Sequence, residues 1–71
     1  MRSESASIVA NGQRQEVKLP CSVADFVQGC GWKTTQVVVE HNGNVVGREA
    51  LGLVMLGDGD QLEIIVPVAG G

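Results

Sequence analysis

Asn-Gly occurs twice in this 71-residue chain, at Asn11-Gly12 and Asn42-Gly43, each time between short runs of strand-forming residues. The dipeptide tolerates positive φ at both central positions of a tight two-residue turn, which makes it a strong local signal for a β-hairpin. Ser7-Ile8-Val9-Ala10 precedes the first turn and reads as a short strand. Glu16-Val17-Lys18-Leu19 follows it, alternating polar and apolar as a half-buried strand does, and Pro20 closes it. Around the second turn, His41 to Asn44, Val37-Val38-Val39 reads as a buried strand and Val45-Val46 as a short return. Two hairpins, each with an apolar face to cover, need a partner layer.

That layer lies between them. Ser22 can cap the first free amides of a helix, and Asp25 favours the positive end of its dipole. Val23, Phe26, Val27 and Cys30 fall at i, i+3, i+4 and i+7 on one helical face. Gly29 and Gly31 end the helix near Cys30. Leu51 to Leu56 is apolar but interrupted by Gly52, and reads as a turn of helix or an irregular crossover. Gly57-Asp58-Gly59-Asp60 is a turn. From Gln61 to Val66 a last strand carries apolar residues on both faces near its end, as a central strand does. Pro67 lacks the N–H for a ladder bond and ends it, leaving Val68-Ala69-Gly70-Gly71 as a free tail. Hairpin, helix, hairpin, crossover and central strand make an α+β domain. It is a β-grasp, ubiquitin-like mixed sheet with one main helix on one face. The expectation is a single domain over 1–71, with residues from about 66 onward as the tail.

Composition narrows the function. The chain is 44% hydrophobic with a mean hydropathy of +0.15, which argues for a packed core. Phe26 and Trp32 are its two aromatics, so that core is built from Val, Leu, Ile and Ala. A net charge of −3 without a basic stripe argues against nucleic acid. Glu49, Asp58, Asp60 and Glu63 follow Arg48, the last cation, and predict a negative face suited to a basic protein partner or simply solvated. No segment has the roughly 20 apolar residues of a membrane span. The polar start Met1-Arg2-Ser3-Glu4-Ser5 has no apolar signal region after it. The expected location is the cytoplasm.

With the element order in place, the sequence resembles the ThiS/MoaD family, the ubiquitin-like sulfur carriers of thiamin and molybdopterin biosynthesis. The matching residues are spread along the chain. They are Asn11-Gly12 in the first hairpin, Ser22-Val23 opening the helix, and Val39-Glu40-His41-Asn42-Gly43 followed by Val45-Val46 and Arg48. Gly59-Asp60-Gln61-Leu62-Glu63-Ile64 and the Gly70-Gly71 end complete the set. The likeness is greatest to the ThiS branch. The family's proline before the arginine is Gly47 here, and Glu49 to Leu56 lacks the tryptophan often seen in ThiS. The Val66-Pro67-Val68-Ala69 stretch leans towards the small subunit of molybdopterin synthase.

The resemblance implies a cosubstrate rather than an enzyme. A ubiquitin-activating-type adenylyltransferase, ThiF-like, would use ATP-Mg to adenylate the Gly71 carboxylate. A sulfur donor such as a cysteine desulfurase would convert it to a thiocarboxylate, and a ThiG-like thiazole synthase would take up the sulfur. The carrier itself binds no cofactor in that cycle. The residues suit the chemistry. Gly70 and Gly71 have no β-carbon to block approach to an activated carbonyl. Val68 and Ala69 would give apolar contact at the mouth of a partner's active site, and Arg48 is a candidate partner contact. Alternatives are the molybdopterin synthase small subunit, a ubiquitin-like protein modifier, for which Lys18 or Lys33 could accept a tag, and an interaction module with an unmodified tail.

Other reactive residues carry plainer expectations. Nine residues of helix between Cys21 and Cys30 span about 13 Å, whereas a disulfide needs Cα atoms within roughly 4.4–6.8 Å. Cys30 is expected as a core filler. Cys21 is expected as an incidental thiol whose pKa a helix N-terminus would lower. His41 is expected at the surface without an ordered partner. No His, Cys or carboxylate cluster has metal-ligand spacing, and Asp58-Gly59-Asp60 lacks the further ligands of a calcium loop.

Overall fold

The computed structural model describes residues 4–68. Its elements are β1 (Ser5–Ala10), β2 (Gln13–Lys18), α1 (Val23–Gly29), β3 (Val38–His41), β4 (Asn44–Val46) and β5 (Gln61–Ile65). Short 3₁₀ turns lie at Thr34–Gln36 and Arg48–Ala50. The strands form one sheet in the order β2-β1-β5-β3-β4. β5 runs parallel to β1 and antiparallel to β3. This is the β-grasp arrangement, with the last strand at the centre.

Both Asn-Gly turns form as two-residue loops. Asn11 and Gly12 have φ of 51° and 80°, Asn42 and Gly43 52° and 88°, so all four positions are left-handed, as a type I′ turn requires. The strands therefore run up to the turns. β2 begins at Gln13 rather than Glu16 because Gln13-Arg14-Gln15, too polar to read as strand, pair along an outer edge that water can solvate. His41 and Asn44, read as turn residues, face each other as the last pair of the β3–β4 ladder.

Helix α1 forms where the apolar spacing placed it, and its free amides are all used. Ser22 Oγ accepts from Asp25 N–H at 3.0 Å while Asp25 Oδ2 accepts from Ser22 N–H at 3.1 Å, a reciprocal capping box. The Val23 and Ala24 N–H groups donate to Val54 and Leu51 carbonyls, each at 2.9 Å. The ambiguous stretch from Leu51 to Leu56 is thus an irregular crossover whose carbonyls dock on the helix start. Val23, Phe26 and Val27 face a core completed by Ile8, Ala10, Val37, Val39, Leu51, Leu56 and Leu62.

Two cysteine expectations are overturned. Cys30 caps the C-terminal end of α1 and is exposed, because the helix stops before the residue turns inward. Cys21 is the thiol that packs against the core. Burial, reinforced by the Asp25 charge, raises its pKa instead of lowering it, outweighing any influence of so short a helix. Both thiols are free.

Candidate functional site

The site expected from the sequence is the end of β5 together with the residues beyond it. β5 stops at Ile65, one residue earlier than predicted. Ile65 and Val66 are about half exposed, and Val68 is 92% exposed beyond Pro67. Ala69, Gly70 and Gly71 lie outside the described residues.

β5 is held at both ends by the two turn asparagines. β1 pairs with it only as far as Ala10 opposite Leu62, and then turns away at Asn11. The Asn11 side chain continues the pairing. Its Oδ1 accepts from Ile64 N–H at 2.7 Å and its Nδ2 donates to the Ile64 carbonyl at 3.3 Å. Backbone N–H of Asn11 donates to the Leu62 carbonyl at 2.9 Å. At the strand's start Asn42 does the equivalent. Its Oδ1 accepts from Gln61 N–H at 2.8 Å, and its N–H donates to the Gln61 carbonyl at 2.8 Å. Sequence reasoning assigned both asparagines to turns through their φ alone. The clamps join residues 53 and 19 apart in the chain, which no local pattern reports.

His41 is not the unpartnered surface residue expected. Its Nε2 lies 2.9 Å from Asp60 Oδ2, with both side chains about four-fifths buried. A carboxylate only accepts, so Nε2 carries the proton, and Asn42 Nδ2 donates to Asp60 Oδ1 at 3.3 Å. Gly57 N–H also donates to Asp60 Oδ2, at 2.8 Å. Burial works against the Asp60 carboxylate, but the bonds from His41, Gly57 and Asn42 outweigh it and hold its pKa below the ordinary value. A pKa lowered by folding adds stability above the unfolded value of about 3.9, and that stability is lost as pH falls through the folded value. Asp60→Asn should therefore lower the urea midpoint at neutral pH. The gap from the parent should close in acid, as paired denaturation curves across that range would report.

The predicted acidic face is redistributed. Asp58 accepts from Ser7 N–H at 2.8 Å, so it and Asp60 tie turns rather than face a partner. On the helix-free face of the sheet, Glu63 instead stands opposite Glu40, a residue the acidic-face reading did not include. Val38 stands opposite Ile65 beside them, both exposed. At the root of the tail, Asn11, Phe26, Cys30, Trp32, Ile64 and Val66 line a shallow groove.

Arg48 opens the 3₁₀ turn after β4, exposed; its carbonyl accepts from Leu51 N–H at 3.4 Å, and its side chain has no hydrogen bond or salt bridge to any other described residue. Gly47 before it has φ −62° and ψ 151°, and its N–H donates to no described residue. Proline fixes φ near −65° and has no N–H, so it fits there, after a strand residue whose extended backbone it tolerates. The added β-carbon would meet the Glu49 carboxylate at 2.5 Å, the free end of a flexible side chain that can swing away. Gly47→Pro should stabilise the protein by about 0.4–1 kcal/mol through the unfolded state, a gain that thermal unfolding would register.

The comparisons agree with the geometry. A family model described as the ThiS family matches residues 5–71. The crystal structure of a thiamine biosynthesis protein (ThiS) from Geobacter metallireducens is 28% identical, with a TM-score of 0.77, covering 92% of this chain and 99% of that one. The solution structure of a thiamine biosynthesis protein from the same organism is likewise 28% identical, with a TM-score of 0.75, covering 92% of this chain and 87% of that one. No curated protein matches. With a β-grasp sheet, a central last strand and a family match over nearly the whole sequence, the chain belongs to the ThiS family of ubiquitin-like sulfur carriers.

Proposed function

We propose that this protein carries sulfur for thiazole formation in thiamin biosynthesis, as a thiocarboxylate on Gly71. The observation that carries the reading is the ThiS family match from residue 5 to residue 71, which takes in the whole sheet and the diglycine. A carboxylate is a poor electrophile because its charge repels nucleophiles. Adenylation by a ThiF-like enzyme with ATP-Mg replaces that charge with a leaving group, AMP. The persulfide of a donor such as a cysteine desulfurase then attacks the carbonyl carbon and expels AMP, leaving an acyl disulfide. A second thiol attacks that S–S bond, forming a disulfide with the donor cysteine and releasing the thiocarboxylate, from which a ThiG-like thiazole synthase accepts the sulfur. The carrier contributes no catalytic group.

Its contributions are shape and position. Gly70 and Gly71 leave the carbonyl sterically bare. Val68, exposed beyond Pro67, and Ala69 supply apolar contact at a partner's channel. The body supplies docking area and therefore specificity. The Arg48 side chain, exposed and unpaired among the described residues, supports its role as a partner contact. Arg48→Ala should leave the unfolding midpoint unchanged and weaken binding to the activating enzyme.

Pull-down with the protein as bait tests the pathway. Retention of thiazole synthase is the expected result. Retention of the large subunit of molybdopterin synthase instead would assign the carrier to the other pathway. An isopeptide adduct between Gly71 and a lysine would make it a protein modifier.

A further inference from the structure

We infer that Asn11 is a positioning residue for the tail: its side-chain amide fixes the point at which the chain leaves the sheet. The inference rests on the sulfur-carrier reading. Parallel pairing with β1 uses the Asp60 and Leu62 carbonyls, which accept from Val9 and Asn11 N–H at 2.9 Å each. The next backbone groups of β5 on that side belong to Ile64, and β1 has already turned away. The Asn11 amide has the donor and acceptor of a peptide unit. Bound to both groups of Ile64, at 2.7 and 3.3 Å, it replaces the strand residue that β1 no longer supplies. On its other side β5 pairs with β3 as far as Ile65, opposite Val38. Ile64 is thus the last residue of β5 held from the β1 side, and Pro67 comes three positions later.

Without the clamp, anchoring on the β1 side retreats to Leu62, and β3 alone holds the strand from Glu63 to Ile65. A strand end held from one side opens more readily, and what it releases must be reordered when the tail enters a partner's site, which costs entropy. That cost falls on binding. Once the tail is docked, the Gly71 carboxylate occupies the same place, so the penalty should appear in KM and not in kcat.

Asn11→Gly removes the side chain while keeping a residue for which φ of 51° is unstrained. Its control is Asn42→Gly, which removes the matching clamp at Gln61, the far end of the same strand. The assay is adenylation by a ThiF-type enzyme with ATP-Mg, with hydrogen exchange of the Ile64 amide measured in parallel. Asn11→Gly should raise KM about fivefold, the scale of one lost net hydrogen bond, with kcat unchanged. Its Ile64 amide should exchange faster. Asn11→Asp keeps the acceptor but sets a carboxylate oxygen against the Ile64 carbonyl, and should raise KM at least as far. Asn42→Gly should lower stability comparably and leave KM unchanged. An activated parent with an unaltered Asn11→Gly variant overturns the inference alone, as does an equal KM rise in Asn42→Gly, which would make the effect general loosening. A parent that is not activated removes the sulfur-carrier reading, and this inference with it.

Discussion

Deleting Gly71 should abolish thiocarboxylate formation while leaving the unfolding transition intact. Shortening the chain by one residue draws its carboxylate back by roughly 3.3–3.6 Å. Displacing a reacting group by even 1 Å can cost about 100-fold in rate, so no turnover should be measurable. Stability should not change, because the buried cluster ends with Leu62 on β5, and Ile64 is the last side chain packed against it. Thermal unfolding of the truncated protein, run beside the sulfur-transfer assay, separates the two effects. Loss of the folding transition would make the tail structural.

Leu62→Ala should have the largest effect on folding. Leu62 is 1% exposed on the strand at the centre of the sheet. It packs in one cluster with the helix residues Val23, Phe26 and Val27 and with Ile8 and Val39 of the flanking strands. Removing a buried leucine side chain costs about 2–5 kcal/mol through lost burial and the cavity left behind. A domain of this size has little more to lose. Urea denaturation should show a midpoint lowered severely or no cooperative transition at all. Leu53→Ala is the contrast: Leu53 is 78% exposed, and its loss should stay within about 0.5 kcal/mol.

The fold was legible in the sequence because its strongest signals are local. Asn-Gly fixes a turn through φ, Ser22 and Asp25 start a helix through capping, and the Val23, Phe26 and Val27 spacing chooses its buried face. The central place of the last strand was read from apolar residues on both its faces; it is central, although Ile65 on the helix-free face is exposed. What escaped was non-local. Asn11 and Ile64 meet only because β1 and β5 are neighbours in the sheet, and His41 meets Asp60 only because β3 flanks β5 on the other side. Cys30 obeyed the helical spacing, but the helix ended before that spacing could bury it. Gly47 looked like a departure from the family's proline, yet its backbone angles are those of proline. The sequence placed the expected chemistry on Gly70-Gly71, which lie outside the described residues, and said nothing of the mechanics at the root of the tail. The root of the tail is set by a side chain on the opposite end of the chain.

The central claim is tested most directly by intact-mass spectrometry of the full chain. The protein is incubated with a ThiF-type activating enzyme, ATP-Mg and a sulfur donor. The account predicts a mass gain equal to the exchange of one oxygen for sulfur, located on Gly71 by fragmentation and absent without ATP. An unchanged mass, with an activating enzyme proven active on its own carrier in the same experiment, would contradict it.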